Sequence, residues 1–382
     1  MSNVTKPLVG LYIHDRPGPM GRARAIVPRL GSRVALFRSG IPDLLFDDIG
    51  SIAVPPPPTH AVPLVDGSGD PVLGPRLASR LARWVEEEDP TLLVVDGPLD
   101  VALLGRLIGV PVIPVRRPFA GVGAAAGAVH ELAAAWLAPF PAALEPPDSP
   151  PEIRRRTVHA GFVSRFEGRR LGQRAARRRI GVPEDGRHVT VIAGSDGLDL
   201  DAEGIEAAAA TASAWTFSVL GTCSGVAGPS DRIRFEGWCD DVFPHLVAAD
   251  VVIAGASCSA IADVAAAGRP LALVPGDNAE GRALAGALEE LGAAVVLDGW
   301  PSPIAWPALL ADLLDLPTRP LRSLADGRAS RRAARWIDAW AASPPSDPTE
   351  ARAMVSSSGG RHEAPQPTTI VLPEPLAAAN DG

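Results

Sequence analysis

The chain has 382 residues, which is enough for two ordinary domains. Its formal net charge of −8 argues against general nucleic-acid binding, which requires a basic face. The three cysteines, Cys223, Cys239 and Cys258, lack metal-site spacing and cannot form a disulfide framework, so a reducing cytoplasm is the expected location.

Strands and helices alternate through the first half of the chain. Predicted strands span residues 7–13, 32–37, 92–95 and 112–115, and predicted helices span 22–30, 72–85, 99–108 and 129–137. This alternation predicts a parallel α/β sheet. Ligands of such sheets sit beyond the carboxyl ends of strands, which is where His14 and Asp15 fall. An ordinary hydrogen-bonded residue at a strand end is an equally good interpretation of His14.

A proline-rich segment at residues 146–151 is the predicted linker between two halves. The alternation then resumes. Predicted strands span 188–193, 216–220, 233–236, 251–253, 271–274 and 293–297, and predicted helices span 169–179, 203–213, 286–291 and 307–314. Two Rossmann-like halves, 1–150 and 151–325, are therefore the expected organisation.

Residues 248–275 read as a strand, a glycine turn, a helix and a second strand. Gly255 opens the turn, Ser257 and Ser259 supply polar groups, and Ser259 is the predicted N-cap with Asp263 about one turn further on. The free N–H groups and dipole of such a helix N-terminus suit an anion such as a diphosphate. On this segment alone, an ordinary turn that binds nothing remains the alternative.

The last predicted element is an amphipathic helix at residues 328–341, whose apolar side carries Trp336, Ile337 and Trp340. From Ser343 the composition shifts to Pro, Ser, Gly and Thr, which predicts a disordered tail over 343–382. The N-terminus has no signal-peptide layout. No window offers about 18 clean apolar residues, so no transmembrane segment is expected.

The second half contains a series of short motifs whose order can be compared with that of a known family. It comprises GSDG at 194–197, GWCD at 237–240, GASCSAIAD at 255–263, AAGRP at 266–270, EG at 280–281 and LEELGA at 288–293. The series resembles the donor-binding domain of MurG-type GT-B glycosyltransferases, which transfer N-acetylglucosamine to lipid I. Residues 14–25 and 94–112 resemble the first domain of the same family, and residues 161–169 resemble the stretch where the family enters its second domain. The resemblance covers most of residues 7–314.

The resemblance implies two Rossmann-like, doubly wound parallel-sheet domains that face each other across a cleft. It also implies a helix at residues 326–342 that crosses back to the first domain. The implied activity is metal-independent, inverting transfer from a nucleoside diphosphate sugar, with UDP favoured, to an acceptor hydroxyl. No cofactor is implied beyond that donor. Separately from the resemblance, the chain is rich in Ala, Gly, Pro and Arg and poor in Lys, which is typical of a protein from a GC-rich bacterial genome.

The resemblance also assigns roles to individual residues. It assigns the diphosphate to Gly194, Ser195, Asp196, Gly197, Gly255, Ser257 and Ser259; the nucleobase to Trp238 and Asp240; the ribose to Asp263; and the sugar to Glu280. For the base that deprotonates the acceptor we select Asp15 or His14, because both follow the first strand at the cleft.

Three positions depart from the family pattern. The family's His falls near Pro19, its ribose-binding Glu is shortened to Asp263, and its sugar-holding Gln falls at Gly281. A non-catalytic nucleotide-sugar-binding relative is therefore one alternative. A nonhydrolysing nucleotide-sugar epimerase is another, with Asp15, Asp277 and Glu280 as its available carboxylates.

Other features of the function stay open at this point. A Rossmann oxidoreductase is disfavoured because no G-x-G-x-x-G motif with a downstream acid follows Ile13 or Ala193. The acceptor is a small molecule, a lipid-linked compound or a glycan. The expected location is the cytoplasm, with the inner face of the membrane as an option.

Overall fold

The computed structural model describes residues 6–14, 16–39, 51–54, 74–119, 129–194, 198, 200–225, 228 and 230–344. Residues 345–382, which make up most of the predicted tail, lie outside this range, as do Asp15, Ser195, Asp196 and Gly197.

The first half is built on a parallel sheet. Its strands are β1 (Leu8–Ile13), β2 (Arg33–Ser39), β3 (Ser51–Val54), β4 (Leu92–Asp96) and β5 (Val112–Pro114), in the order β3-β2-β1-β4-β5. Its helices are α1 (Pro17–Ile26), α2 (Pro75–Glu88) and α3 (Leu99–Leu107). Strand β1 is buried along its whole length, as a central strand covered on both faces must be. The order of the strands reverses beside β1, so a ligand crevice is expected at its carboxyl end.

Helix α1 begins earlier than the sequence predicts. Arg16 is in an extended conformation at the N-cap, and Pro17 occupies the first helical position. Proline suits this position because its missing N–H would have no partner inside the helix. The predicted start at residue 22 was therefore wrong, and the helix covers the proline-containing loop expected after β1.

Residues 129–137 do not form the predicted helix. Only residues 129–132 are helical, and β6 (Trp136–Ala138) follows. Strand β6 is fully buried and pairs in parallel with β7 (Thr157–His159), while Leu137 bridges to Val115 beside β5. Strand pairing and burial thus override the helix propensity of this alanine-rich run.

The segment between β6 and β7 contains the proline-rich stretch predicted as the linker. Pro151 begins the short helix α4 (Pro151–Arg156), which leads directly into β7. The guanidinium of Arg116 donates hydrogen bonds to Glu145 (2.9 Å), Thr157 (3.0 Å) and Ser149 (3.3 Å). These bonds connect the end of β5 to both sides of the stretch. The strand pairing of the first half therefore continues past the boundary predicted at residue 150.

The second half contains a six-stranded parallel sheet. Its strands are β8 (Arg187–Gly194), β9 (Trp215–Gly221), β10 (Ile233–Gly237), β11 (Val251–Gly255), β12 (Leu271–Val274) and β13 (Val295–Val296), in the order β10-β9-β8-β11-β12-β13. Its helices are α5 (Gln173–Ile180), α6 (Ala202–Thr211), α7 (Phe243–Ala248), α8 (Cys258–Ala267), α9 (Ala279–Glu290), α10 (Trp306–Asp315) and α11 (Arg319–Ser323). The strand order reverses between β8 and β11. The prediction of two doubly wound parallel sheets is confirmed.

Two apolar contacts hold the halves together. Phe140 of the first half and Phe162 of the segment that joins the halves share one buried cluster with Phe243 and Leu284 of the second half. The last helix, α12 (Ala329–Ala342), lies against α1, and its Trp336, Ile337 and Trp340 are buried there. Asp338 of this helix accepts hydrogen bonds from the backbone N–H groups of Gly31 (2.8 Å) and Ser32 (2.9 Å).

Among the helices of the described residues, none has both the length and the apolar character needed to span a bilayer.

Candidate functional site

The carboxyl ends of the central strands of both sheets lie near the junction of the two halves. Ile13 of β1 is in register with Asp96 of β4 in the first sheet, and β8 and β11 end at Gly194 and Gly255 in the second. Helix α1, which follows β1, contacts α8, which follows β11. A Cβ atom added to Gly18 would lie 3.5 Å from the hydroxyl of Ser259. The N-terminal turns of these two helices therefore meet across the junction.

Helix α8 is capped by Ser257 and not by Ser259. Ser257 is extended, and its hydroxyl accepts a hydrogen bond from the N–H of Ala260 at 3.3 Å. The predicted cap was wrong because Ser259 already has helical geometry as the second residue of α8. The first N–H groups of a helix have no intrahelical acceptor whichever residue caps it, so an anion site at this turn stays a prediction.

Asp263 is buried in α8 and is held by the segment that joins the two halves. Its carboxylate accepts hydrogen bonds from the Ser164 hydroxyl (2.7 Å) and from Nε of Arg165 (3.2 Å). Burial raises the pKa of Asp263 to about 6, although the charge of Arg165 and both hydrogen bonds act to lower it. The residue predicted to hold a ribose thus has protein partners at both of its oxygens.

Glu280 lies in the first turn of α9, opposite a residue of the first half. Nε of Arg117 lies 3.8 Å from its carboxylate, and the side chains of Glu280 and Arg117 are 30% and 59% exposed. Burial raises the pKa of Glu280, and the positive charge of Arg117 acts against that rise.

The turn before α9 leaves no room for a side chain at position 281. Asn278 caps the helix by accepting a hydrogen bond from the N–H of Gly281. A Cβ atom at position 281 would lie 2.8 Å from the carbonyl oxygen of Pro275 and 2.9 Å from Oδ1 of Asn278. The local backbone geometry therefore excludes the Gln that the family pattern places at this position.

A buried ion pair fixes α1 to the end of β4. Nε and Nη2 of Arg22 each donate a hydrogen bond of 2.7 Å to the Asp96 carboxylate, and the side chains are 13% and 12% exposed. Burial acts to lower the pKa of Arg22, but the carboxylate of Asp96 more than offsets this and leaves the pKa raised. The backbone N–H of His14 donates to the carbonyl of Asp96 at 3.0 Å. The pair therefore connects α1 to the strand end that holds His14.

Arg22 and Asp96 also line a cavity between the first sheet, α1 and α12. Its volume of about 20 Å³ holds about one water molecule, so it is too small for an acceptor.

Cys258, the first residue of α8, lies among charged groups from both halves. The charges of Arg22, Glu280 and Arg117 all act on its thiol. Burial raises the pKa of this thiol to about 12, so it remains protonated at neutral pH. Its surroundings show that the N-terminal turn of α8 is where side chains of the two halves converge.

Trp238 and Asp240 lie in the turn that follows the edge strand β10. The indole N–H of Trp238 donates to Asp240 at 3.2 Å, and two-thirds of the tryptophan surface is exposed. Gly237 has φ +63°, a left-handed conformation that favours glycine. The turn therefore presents a flat aromatic face to solvent.

The structure brings Ser257, Ser259, Asp263 and Glu280 to the junction together with residues of the first half. Asp96, Arg22 and Arg165 also lie at this site and were missed from the sequence. Asp96 ends a clear buried strand, which was the one available signal for it. Within the described residues, no cluster of three His, Cys, Asp or Glu side chains has the geometry of a metal site.

Comparison with known proteins rests on structure. No protein-family model matches the sequence, and no curated protein matches it either. The glycotransferase of kitacinnamycin is similar with a TM-score of 0.63 and 19% identity, covering 88% of this chain and 99% of that one. Acinetobacter baumannii MurG is similar with a TM-score of 0.60 and 17% identity, covering 87% and 99%.

A third similar structure has another activity in its name. It is the UDP-GlcNAc 2-epimerase from Neisseria meningitidis bound to UDP-GlcNAc, with a TM-score of 0.55 and 11% identity, covering 85% of this chain and 97% of that one. Together the three comparisons establish the fold. The chain has the GT-B fold, as the sequence motifs predict.

We predict that Asp96→Asn destabilises the protein, because it leaves the buried guanidinium of Arg22 without its counter-charge. The expected loss in the free energy of unfolding is about 3 kcal/mol, measured by urea denaturation. The control is Asp312→Asn on the exposed face of α10, which should change stability by less than about 0.5 kcal/mol. Equal losses in the two variants would contradict the structural role of the pair.

Asp263 predicts a specific pH dependence of stability. Its pKa of about 6 lies above the value of about 3.9 in an unfolded chain. Its contribution to stability is therefore fully present below about pH 4 and is lost as the pH rises through about 6, by up to about 3 kcal/mol. We expect Asp263→Asn to abolish this loss.

The measurement is the difference in unfolding free energy between Asp263→Asn and the wild type, taken at intervals from pH 4 to pH 7. All other titrating groups cancel in this difference. As the pH rises, the unfolding free energy of the variant should increase relative to that of the wild type. A difference that stays constant would show that the pKa of Asp263 is not raised.

Proposed function

We propose that the chain is a glycosyltransferase that moves a sugar from a nucleoside diphosphate sugar, with UDP favoured, to an acceptor hydroxyl. The observation that carries this proposal is the meeting of the α1 and α8 N-terminal turns at the junction of two Rossmann-like sheets. One turn follows His14, a candidate base, and the other supplies the N–H groups of an anion site. Two of the similar structures are named as a glycotransferase and as MurG, which supports the same reaction class.

The donor would bind along the carboxyl ends of β8 and β11. Helix α8 offers N–H groups and its positive dipole end to the diphosphate, with Ser257 and Ser259 beside them. Gly194, at the end of β8, lies at the same edge of the sheet. The exposed indole of Trp238 offers a stacking surface for the nucleobase, with Asp240 next to it.

Asp263 would hold the ribose hydroxyls. At neutral pH it is a carboxylate, because its pKa is about 6, and it can accept hydrogen bonds from two hydroxyls. A ribose would compete with Ser164 and Arg165 for this carboxylate. A guanidinium pairs with phosphate as readily as with carboxylate, so the diphosphate offers Arg165 another partner.

The chemistry would proceed by direct displacement with inversion and without a metal. His14 would remove the acceptor proton as the new bond to the anomeric carbon forms, and Asp15 is the second candidate for this role. The negative charge that develops on the leaving diphosphate would be stabilised by the N–H groups of α8. The contact of the two halves would hold donor and acceptor in line.

Two other functions have specific observations in their favour. A non-catalytic nucleotide-sugar-binding protein is favoured by the backbone at Gly281, which leaves no room for the family's sugar-holding Gln. A nonhydrolysing epimerase is favoured by the similarity to the UDP-GlcNAc 2-epimerase structure. Both share the donor site with the transferase and differ from it in turnover.

We expect UDP-sugars to raise the melting temperature of the wild-type protein in a screen that also includes GDP- and dTDP-sugars. Asp263→Ala should weaken UDP affinity at least tenfold, because the ribose loses its carboxylate. The Asp312→Ala control should bind UDP like the wild type. If no nucleotide sugar binds, the proposed donor site is wrong. If Asp263→Ala binds UDP with unchanged affinity, Asp263 does not hold the ribose.

His14→Ala should retain UDP-sugar binding and lose at least a hundredfold in turnover, because general base catalysis contributes about that much. Transfer is measured with donors that bind, across small-molecule, lipid-linked and glycan acceptors. Full activity of the variant would shift the role of base to Asp15. Binding without any turnover in the wild type favours the non-catalytic protein, and interconversion of the donor's sugar epimers favours the epimerase.

A further inference from the structure

The Arg117–Glu280 pair joins the two halves of the chain beside the N-terminal turn of α8. Arg117 follows β5 in the first half, and Glu280 lies in the first turn of α9 in the second. The charges of both residues act on Cys258, the first residue of α8. If the diphosphate of the donor binds to this turn, as the proposed function requires, the pair lies beside the sugar that is attached to the diphosphate.

The backbone before Arg117 is fixed on both sides. The N–H of Val115 donates to the carbonyl of Val95, and the N–H of Arg116 donates to the carbonyl of Leu137, each at 2.8 Å. The side chain of Arg116 is buried against Glu145, so the two consecutive arginines have opposite surroundings. Arg117 therefore extends toward the second half from a rigid strand end.

The geometry of the pair leaves its hydrogen-bonding groups available. At 3.8 Å the side chains attract each other as charges, but the separation is too long for a hydrogen bond. In the described part of the chain, neither side chain makes a hydrogen bond to another residue. A ligand beside the pair would therefore meet carboxylate acceptors from Glu280 and N–H donors from Arg117.

This combination suits a neutral sugar. A sugar hydroxyl both donates and accepts, so it can bond to the carboxylate and the guanidinium together. A sugar carboxylate would be repelled by Glu280, and a sugar ammonium would be repelled by Arg117. The backbone at Gly281 leaves no space for an additional polar side chain on α9. A second group that recognises the sugar must therefore come from the first half of the chain, where Arg117 lies.

We propose that Arg117 is a specificity-determining residue for the donor, forming with Glu280 a subsite for the hydroxyl groups of an uncharged hexose. This inference rests on the proposed function. It makes recognition of the sugar dependent on both halves of the chain, whereas the nucleotide is bound by the second half.

The test compares UDP with UDP-glucose, UDP-galactose and UDP-N-acetylglucosamine by calorimetric titration of the full chain. Arg117→Gln should leave UDP affinity within about twofold of the wild type. It should weaken the best-binding UDP-sugar at least tenfold, because charged hydrogen bonds to that sugar are lost. Glu280→Gln should have the same selective effect, and the double variant should lose little more than either single variant.

The matched control is Arg83→Gln on the exposed face of α2, which should bind every ligand like the wild type. Arg117→Gln should melt within about 2 °C of the wild type, because exposed ion pairs contribute little to stability. Equal weakening of UDP and UDP-sugars would assign Arg117 to the diphosphate and overturn the inference. Unchanged affinities would reduce the pair to a surface contact and overturn it too.

Failure of the proposed function gives a different result. If the wild-type protein binds neither UDP nor any UDP-sugar, the donor site itself is wrong and the inference is wrong with it. Binding of UDP-glucuronic acid, measured in the same way, provides a further check. It should be at least tenfold weaker than that of UDP-glucose, and equal binding would contradict a subsite for uncharged sugars.

Discussion

The structure depends on the apolar cluster that the two halves share. Phe140 of the first half and Phe162 of the joining segment pack with Phe243, Leu284 and neighbouring residues of the second half. Burial of this surface is non-directional, so it brings the sheets together without choosing which polar groups meet. That choice follows from topology, because the central strands of both sheets end near the same junction. The α1–α8 contact and the Arg117–Glu280 pair are consequences of this packing.

Ion pairs near the junction have two different characters. Arg22 and Asp96 belong to the same half, are nearly buried and share two short hydrogen bonds, which is the geometry of a structural pair. Arg117 and Glu280 come from opposite halves, are partly exposed and lie farther apart. Arg165 and Asp263 are intermediate. The pair that joins opposite halves is thus the most exposed and the most widely separated of the three.

Most strands and the fold class could be predicted from the sequence, because short buried apolar runs followed by polar turns identify parallel strands. The stretch at 136–138 could not, since an alanine-rich segment forms a helix unless another strand is available to pair with it. That strand, β7, lies about twenty residues further on and is recognisable only in three dimensions. The cap of α8 was misassigned by two residues, because three of the five residues from 255 to 259 are Gly or Ser and several positions satisfy the same rule.

The candidate site could be predicted only in part. Motif order located Asp263 and Glu280, but their partners depend on contacts remote in sequence: Ser164 is 99 residues from Asp263, and Asp96 is 74 from Arg22. The local sequence pattern around each residue does not indicate such long-range partners. The same holds for Arg116 and Arg117, which are adjacent and chemically identical. The backbone that follows β5 directs one inward to Glu145 and leaves the other at the junction.

The departures from the family pattern form a consistent set when they are considered together. Pro19 lies inside α1, and its ring cannot serve as a base, yet His14 lies near the same strand end. Gly281 cannot carry a side chain, yet Glu280 precedes it and meets Arg117. Each missing polar group thus has a polar neighbour within a few residues or across the junction.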